Sequence, residues 1–259
     1  MTAPLCAAVA KANVNLHCVL RNIEELCRCD AQAAEAVRGQ DTALQFAVKG
    51  CDPATLSFRN GLCRYSRLPN ERYSLRLSFS SPERFNRLMN GEKITPSFNL
   101  FGLFYVRFLF RNFAVLTERL EYYLKPKDET LLQDSQFFPV STALTAFVVF
   151  QAIAEVGNDD PAGRAIVSRM PAGTVCAEII GGPAISLRCE QGRLTAFSGK
   201  TESPNAVLVF KDMQTAGDVL RGKLDTHAAM AQGLFSIRGK IPMLETVNQL
   251  LYQVKRYLR

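Results

Sequence analysis

The sequence predicts a fold of short strands and helices that is built twice along the chain. First, residues 206–259 read as strand, helix, short helix, strand and terminal helix, and the earlier residues 75–124 repeat this order. Second, Gly91 and Gly222 stand 131 residues apart (222 − 91 = 131), and the tripeptide beginning at Gly102 recurs at Gly233 with the same spacing. Third, 47% of the 259 residues are apolar, which is enough for packed cores in two domains of ordinary size.

The first half begins with helix and continues with strands. Residues 5–38 are rich in alanine, leucine and glutamate, and they predict one or two helices that end at Gly39. Four short strands are then predicted, at residues 44–48, 56–58, 62–65 and 74–79. The dipeptide Asn60-Gly61 between the second and third strands is typical of a tight hairpin turn.

A helix, a strand and a second helix are predicted to close the first half. Ser81 is a good cap residue and Pro82 suits the first turn of a helix, which we expect to end at Gly91. Residues 103–109 predict a strand, and residues 112–124 predict a helix.

The charged residues 125–133, interrupted by a proline, predict a linker between the two domains. We therefore place the first domain at residues 1–128 and the second at residues 129–259. The second half restarts with two predicted helices, at residues 142–156 and 162–167. Four predicted strands follow, at residues 174–180, 184–189, 193–197 and 206–210.

The alternation along the strands assigns side chains to the two faces of each sheet. Apolar residues at matching positions of the two halves are expected to face inward, at Leu77/Leu208, Phe79/Phe210, Phe104/Phe235 and Val106/Ile237. Because neighbouring residues of a strand point to opposite faces, Arg64 and Arg76 are expected to face outward.

The first half carries most of the positive charge. Residues 1–128 hold 18 Lys and Arg against 12 Asp and Glu, a net charge of +6, whereas the remainder holds 13 against 12, a net charge of +1. Such an excess suits an anionic membrane surface or an acidic partner. The candidate docking residues are Arg59, Arg64, Arg67, Arg72 and Arg76. An ordinary solvated face is the alternative interpretation.

The sequence has no motif of a known catalytic or metal site. The Gly-Lys-Thr at residues 199–201 lacks the glycine spacing of a phosphate loop, and no G-x-S-x-G nucleophile motif is present. His17 and Cys18 are too far from Cys27 and Cys29 for helical metal-ligand spacing. We therefore expect no catalytic residue, no metal and no cofactor. The aromatic residues are not interleaved with lysines, so nucleic acid is not an expected partner.

Three features predict a cytoplasmic protein. The eight cysteines form no disulfide framework, which indicates reduced thiols. The N-terminus lacks the pattern of a secretory signal. The most apolar run, residues 98–116, is interrupted by Arg107 and Arg111 and is too short to span a bilayer, which takes ~20 residues.

An aromatic cluster distinguishes the first half from the second. Seven Phe and Tyr residues fall within residues 98–113, whereas smaller residues stand 131 positions later, at Ala229, Gln232, Ser236 and Gly239. Two interpretations are open. The second half has a core packed by other elements, or it keeps a cavity that the first half has filled.

A succession of motifs in the second half indicates a family resemblance. A strand over residues 205–210 precedes a helix that ends in Leu220-Arg221-Gly222-Lys223, and Ala228-Ala229-Met230 precedes the run GLFSIRG from Gly233 to Gly239. This succession resembles the sterol carrier protein domain of the non-specific lipid-transfer type, over about residues 174–259. Residues 44–125 are similar but diverged, since Phe108 replaces the closing glycine.

The resemblance implies an α+β fold with two tandem sterol-carrier-like domains. Each would contain a five-stranded, mostly antiparallel sheet covered by helices on one face, with an apolar tunnel between them. By the repeat and the strand alternation, the tunnel of the second domain would be lined by Leu208, Phe210, Phe235, Ile237, Leu244, Val247 and Leu251.

The function implied is non-enzymatic binding or transfer of a hydrophobic ligand: a lipid, a fatty acyl chain, or a sterol-like or isoprenoid molecule. The family also includes accessory factors of isoprenoid quinone synthesis. The alternative is therefore a scaffold protein that assists a lipid or quinone pathway enzyme without a ligand of its own. An enzyme on this fold is a third hypothesis, which no catalytic motif in the sequence supports.

Overall fold

Ten strands form two five-stranded sheets within residues 3–258, the part of the chain that this computed structural model describes. The strands of the first sheet are β1 Asp41–Val48, β2 Ala54–Arg59, β3 Leu62–Ser66, β4 Leu75–Phe79 and β5 Ser97–Phe98. Those of the second are β6 Gly173–Ile179, β7 Ala184–Glu190, β8 Arg193–Ser198, β9 Ala206–Phe210 and β10 Phe235–Gly239. The strand orders, β3-β2-β1-β4-β5 and β8-β7-β6-β9-β10, are the same.

Each sheet belongs to its own unit of the chain. The units are Met1–Lys127 and Asp128–Arg259, whereas the predicted boundary lay after residue 128. In each sheet three pairings are antiparallel, and one pairing is parallel, β1 with β4 and β6 with β9. The predicted α+β class with mostly antiparallel five-stranded sheets is therefore confirmed, with the refinement that the sheets are mixed.

Helices surround both sheets. The α-helices of the first unit are α1 Ala3–Val14, α2 Ile23–Cys29, α3 Ala31–Ala36, α4 Pro82–Met89, α5 Val106–Phe108 and α6 Ala114–Leu124. Those of the second are α7 Phe137–Asp159, α8 Pro161–Val167, α9 Met213–Leu220, α10 Thr226–Ala231 and α11 Ile241–Val254. The predicted linker is in part ordered, because Glu129–Gln133 forms a 3-10 turn.

The strand register repeats with the spacing seen in the sequence. Leu44 lies opposite Leu56 and Leu75, and Val175, 131 positions later (175 − 44 = 131), lies opposite Leu187 and Ala206. The hairpin turns also correspond. Asn60-Gly61 has φ angles of 52° and 80°, and Gln191-Gly192 has φ angles of 50° and 70°. These left-handed pairs are the geometry of a two-residue hairpin turn. The tandem duplication is thus present in the backbone itself.

A buried aspartate–tyrosine pair occurs once in each unit and also marks the duplication. The Tyr123 hydroxyl donates to Asp30 Oδ2 at 2.8 Å, and the Tyr257 hydroxyl donates to Asp160 Oδ2 at 2.6 Å. Each aspartate also accepts a backbone N–H at the start of its helix, α3 or α8. The pair ties the C-terminal end of each unit to a helix before its sheet.

The predicted strand over residues 103–109 is wrong. Leu100–Tyr105 is a 3-10 helix, and α5 and a π-helical turn at Leu109–Phe113 continue it into α6. Consequently Phe104 and Val106 are not equivalents of Phe235 and Ile237, and the 131-residue spacing ends after Gly91 and Gly222.

The edge of strand β4 explains this difference. Leu77 lies opposite Phe98, as Leu208 lies opposite Ile237 in the second unit. The side chain of Asn99 then accepts the N–H of Arg76 at 2.7 Å. Because this contact occupies the next backbone donor of β4, the edge strand stops after two residues and the chain turns helical.

Helix α7 is the core helix of the second unit. It has 23 residues and a mean hydropathy of 1.8 over its most apolar window, so length and composition alone would let it cross a membrane. However, 78% of that window is buried in the fold. The helix packs against β7, β8, α8, α9 and α11, and its apolar character serves this contact.

Candidate functional site

The candidate site is the apolar layer between the second sheet and helix α11. On its inner face Phe210 lies opposite Phe235, and their ring centroids are 4.8 Å apart. Leu208 lies opposite Ile237 in the next inward pair. Helix α11 packs on β9, α7 and α8 and buries Leu244 and Val247 against this layer.

A glycine controls how the chain enters helix α11. Gly239 has a φ of 95°, and a Cβ atom built on it would lie 2.2 Å from the Asn205 carbonyl oxygen. The N–H of Lys240 donates to that same carbonyl at 2.9 Å. No larger residue fits this close approach, so Gly239 fixes the position from which α11 starts.

The inner face of the second sheet is chemically uniform. Its buried side chains are apolar except for the thiol of Cys189, and they are Val175, Ala177, Ile179, Ile185, Leu187, Cys189, Leu194, Ala196, Ala206, Leu208, Phe210 and Phe235. In the first unit the corresponding face also holds Thr42 and Tyr65. The second layer therefore offers dispersion contacts and hydrophobic burial, without an acid or a base.

Of the seven residues predicted to line a tunnel, the four strand residues are paired across β9 and β10, and the other three lie on α11, which packs on β9. Leu208, Phe210, Phe235, Leu244 and Val247 are buried, whereas Ile237 and Leu251 are partly exposed. Val247 is only 1% exposed. Since a side chain beside a water-sized void keeps accessible surface, Val247 borders no such void in this conformation.

The core of the first unit is filled by aromatic rings. Phe58 packs against Phe108 and Phe113, at centroid distances of 5.3 Å and 6.3 Å, and Phe46 lies 5.7 Å from Phe113. The two inward phenylalanines come from the helical segment that follows β5. Part of the aromatic cluster seen in the sequence thus occupies the space above the first sheet.

A cavity of about 250 Å³ in the second unit was missed by sequence reasoning. None of the seven predicted residues lines it. Its distinctive group is Arg221, whose guanidinium donates to Thr142 Oγ1 at 3.1 Å and to Ser141 Oγ at 2.7 Å, and lies 5.2 Å from the Phe138 ring centroid. Burial lowers the pKa of Arg221, and the carboxylate of Asp218 opposes this effect. Sequence reasoning missed this cavity because Arg221 and its partner Ser141 are 80 residues apart, and a pairing at that distance gives no local pattern in the sequence.

The mouth of this cavity carries both signs of charge. Lys223 Nζ lies 3.5 Å from Glu129 Oε2, and Gln214 Nε2 donates to Asp218 Oδ2 at 2.9 Å. Two cations, Arg221 and Lys223, therefore face two carboxylates, and the site has no net charge with which to select an ion.

The five arginines predicted to dock an anionic surface are placed as follows. The register puts Arg59, Arg64 and Arg76 on the outer face of the first sheet, as the alternation predicts for the last two. Arg59 lies 3.8 Å from Asp41, and Arg67 lies 3.0 Å from Asp52. Arg76 lies over the ring of Tyr73, and Arg64 and Arg72 are exposed. Ion pairing thus lowers the positive charge available from two of the five.

Burial shifts the pKa values of the histidine and cysteines considered as metal ligands. Burial lowers the pKa of His17 to about 2, with the nearby guanidinium of Arg67 contributing. Burial also raises the pKa of Cys27 to about 12 and that of Cys29 to about 11, so these thiols stay protonated near neutral pH. Among the residues that the structure describes, no three His, Cys, Asp or Glu side chains are grouped so as to hold a metal ion.

Comparison with known proteins gave similarities of structure alone. No protein-family model matches the chain, and no curated protein matches it. The chain is similar to the sterol carrier protein domain 2 of Helicoverpa armigera, with 16% identity and a TM-score of 0.35 over 42% of this chain and 87% of that one. It is similar to the UbiJ-SCP2 ubiquinone synthesis protein, with 15% identity and a TM-score of 0.34 over 43% and 95% of the two chains.

A third similar structure is a sterol carrier protein 2, with 23% identity and a TM-score of 0.32 over 43% of this chain and 93% of that chain. Each of these alignments has a length that one unit of the present chain accommodates. They concern the same kind of domain as the resemblance seen in the sequence. The chain consists of two tandem α+β units, and over about two fifths of its length it is similar to solved sterol carrier protein domains.

Proposed function

We propose that the second unit binds a hydrophobic ligand between its sheet and helix α11, without catalysing a reaction. The observation that carries this proposal is the inner face of the second sheet, whose buried side chains are apolar apart from one thiol. Such a surface recognises hydrocarbon by burial, which contributes about 25 cal/mol per Å² of apolar surface. Burial raises the pKa of the one thiol, Cys189, which keeps it in the protonated, weakly nucleophilic form.

Helix α11 is the element that moves in this proposal. Val247 and Leu250 are fully packed, so a chain-like ligand enters when α11 shifts away from β9 and β10. Ile237 and Leu251, which are partly exposed, mark the edge of the layer where this opening begins. The hydrocarbon then replaces side-chain contacts that α11 gives up.

The proposed ligand class is a molecule with a long apolar tail, such as an acyl chain or an isoprenoid. One of the solved structures to which the chain is similar is a ubiquinone synthesis protein. An isoprenoid quinone is therefore one of the compounds to test. A scaffold role without a ligand is the second candidate, and the aromatic filling of the first unit's core favours that role for the first unit.

The test begins with native mass spectrometry of the purified full-length chain, followed by displacement of a fluorescent acyl probe. We expect a co-purified apolar molecule and a melting temperature that rises with acyl chains, phospholipid or quinone. A protein that is empty and whose melting temperature responds to none of these compounds would contradict the proposal.

A matched pair of variants on α11 locates the site. Leu251→Glu places a carboxylate at the edge of the apolar layer, and we expect at least a tenfold weaker probe affinity, because burying that charge opposes hydrocarbon binding. Tyr252→Glu adds the same charge next to it on the exposed side of the helix, where the Tyr252 side chain lies 64% exposed, and should leave affinity unchanged. Equal losses in both variants would show that the ligand lies elsewhere.

A further inference from the structure

The helical segment after β5 presents a row of apolar and cationic side chains to solvent. Leu100, Leu103, Phe104 and Phe110 are 77%, 57%, 87% and 72% exposed, and Arg107 and Arg111 are exposed between and beside them. Their spacing of three and four residues places them along one side of a helix. We call this set the aromatic stripe, and it comprises Leu100, Leu103, Phe104, Arg107, Phe110 and Arg111.

The opposite side of the segment is anchored in the first unit. Phe108 and Phe113 are buried against Phe58, and a Cβ atom on Gly102 would lie 2.5 Å from the side chain of Leu75. The Asn112 amide also donates to the Ala36 carbonyl at 2.6 Å. These contacts hold the backbone, so the outward side chains are presented on a fixed support.

Along the chain, the charge on and beside the stripe has one sign. Residues 93–117 contain no Asp or Glu, but they contain the cations Lys93, Arg107 and Arg111. The preceding acid, Glu92, is already paired with Arg87 at 2.7 Å. A partner of the stripe must therefore accept apolar side chains and neutralise two or three cations at the same place.

We propose that the aromatic stripe docks the chain onto a bilayer that contains anionic phospholipid. Phenylalanine and leucine side chains enter the boundary between head groups and acyl chains, and the arginines bind the head-group phosphates beside them. A second copy of the chain fits poorly, because a symmetric contact sets this acid-free segment against itself. A protein partner is the competing occupant, because protein interfaces are enriched in aromatic residues and arginine, and the test below separates it from lipid.

The depth of this contact follows from the length of the stripe. Leu100 to Arg111 spans 12 residues, about three turns of helix, and a segment of this length held to a sheet lies in the interface, about 5–10 Å deep, without crossing the bilayer. The inference goes beyond the ligand proposed for the second unit and does not depend on it. It also names residues other than the five arginines on and beside the first sheet.

The test is co-sedimentation of the full-length chain with vesicles. Phosphatidylcholine vesicles are compared with vesicles that hold one third phosphatidylglycerol, at low and at physiological salt. We expect binding to the anionic vesicles that weakens as salt is added. Arg107→Gln with Arg111→Gln should lower the partition coefficient about thirtyfold, at about 1 kcal/mol for each cation. Phe104→Ser with Phe110→Ser should lower it at least tenfold.

Two control variants use exposed residues outside the stripe. Arg164→Gln with Arg169→Gln removes the same amount of charge from the exposed surface of the second unit, and Leu68→Ser removes an apolar side chain that is 64% exposed. Both should bind vesicles as the parent does. Every altered side chain is at the surface, so circular dichroism should show unchanged folding.

Three outcomes would overturn the proposal. The first is equal loss from the stripe and control variants, which indicates general electrostatic attraction. The second is that the parent protein does not bind the anionic vesicles. The third is a dimer or a protein complex that the Phe104 and Phe110 substitutions abolish while vesicle binding persists. None of these outcomes affects the acyl-probe result for the second unit, so the two proposals fail separately.

Discussion

The first unit buries a histidine whose pKa is strongly lowered. His17 is 1% exposed, its Nδ1 lies 2.7 Å from the Tyr65 hydroxyl, and its imidazole lies near the cations Arg21 and Arg67. Burial and these two positive charges lower the pKa of His17 to about 2. In the folded unit the imidazole therefore stays neutral, whereas in the unfolded chain it takes up a proton as the pH falls through about 6.5.

We expect the stability of the first unit to fall as pH drops below about 6.5. The unfolded chain then binds a proton that the folded unit does not, and the cost approaches 1.4 kcal/mol for each pH unit. Above pH 7 the imidazole is neutral in both states and contributes no slope. Denaturant unfolding followed by circular dichroism between pH 7.5 and 4.5 measures this effect.

Replacing the histidine isolates its contribution. His17→Gln keeps a hydrogen-bonding group near Tyr65 but cannot titrate, so the slope between pH 6.5 and 4.5 should become shallower. His227→Gln, at the exposed second histidine, should keep the parent's slope. An unchanged slope in His17→Gln would mean that carboxylates alone produce the acid sensitivity.

At the scale of elements, the corresponding helices α4 and α9 end in the same way. Gly91 and Gly222 have φ angles of 89° and 74°, and their N–H groups donate to the carbonyls of Leu88 and Val219 at 2.9 Å and 3.0 Å. A Cβ atom at either position would meet no other atom within 4 Å. The cost of any substitution there is thus conformational and does not involve packing.

Gly91→Ala and Gly222→Ala should therefore each destabilise their own unit by about 1 kcal/mol, because an L-residue is strained in the left-handed region. Asparagine tolerates this region better, so Gly91→Asn and Gly222→Asn should cost less. Thermal unfolding compares the four variants. A loss that follows side-chain size would instead indicate a steric contact.

One tripeptide shows how context overrides local sequence. Gly102-Leu103-Phe104 and Gly233-Leu234-Phe235 are identical, yet the first lies in a 3-10 helix and the second leads into β10. In the second unit the N–H of Lys211 donates to the Leu234 carbonyl and continues the ladder. In the first unit Ser97–Phe98 and Asn99 already occupy the edge of β4, so the same residues are left outside the sheet.

At the scale of the whole chain, the duplicated units have diverged in how they use aromatic residues. In the first unit Phe108 and Phe113 are buried in the core, and Phe104 and Phe110 are exposed to solvent. In the second unit an aliphatic and aromatic layer lies beneath α11. We infer a division of labour in which the first unit docks and the second binds.

We predict that the two units fold separately. Each has its own sheet and core, and the contacts divide the chain at Lys127 and Asp128. Residues 1–127 should bind anionic vesicles, and residues 128–259 should bind the acyl probe, when each is expressed alone. Circular dichroism and thermal unfolding should show a cooperative transition in both. An unfolded fragment would show that the units depend on each other for stability.

Much of the fold was predictable because its signals are local. The hairpin turn at Asn60-Gly61 and the helix start at Ser81 depend on the preferences of single residues. The inward positions of Leu77, Phe79, Leu208 and Phe210 follow from strand alternation. The seven residues of the candidate site came from the same alternation and the helix period; four of them are paired across β9 and β10, and three lie on α11.

Local sequence was enough to predict the duplication, the hairpin turns and the inward residues of β4 and β9, because each depends on neighbours along the chain. Packing in three dimensions was needed to establish that Asn99 ends β5, that Arg221 binds Ser141 and Thr142, and that Phe104 and Phe110 face solvent. These outcomes arise from groups distant in the chain that compete for the same edge or the same volume. That competition is settled only when all elements are packed together, and it produced both the apolar layer and the aromatic stripe.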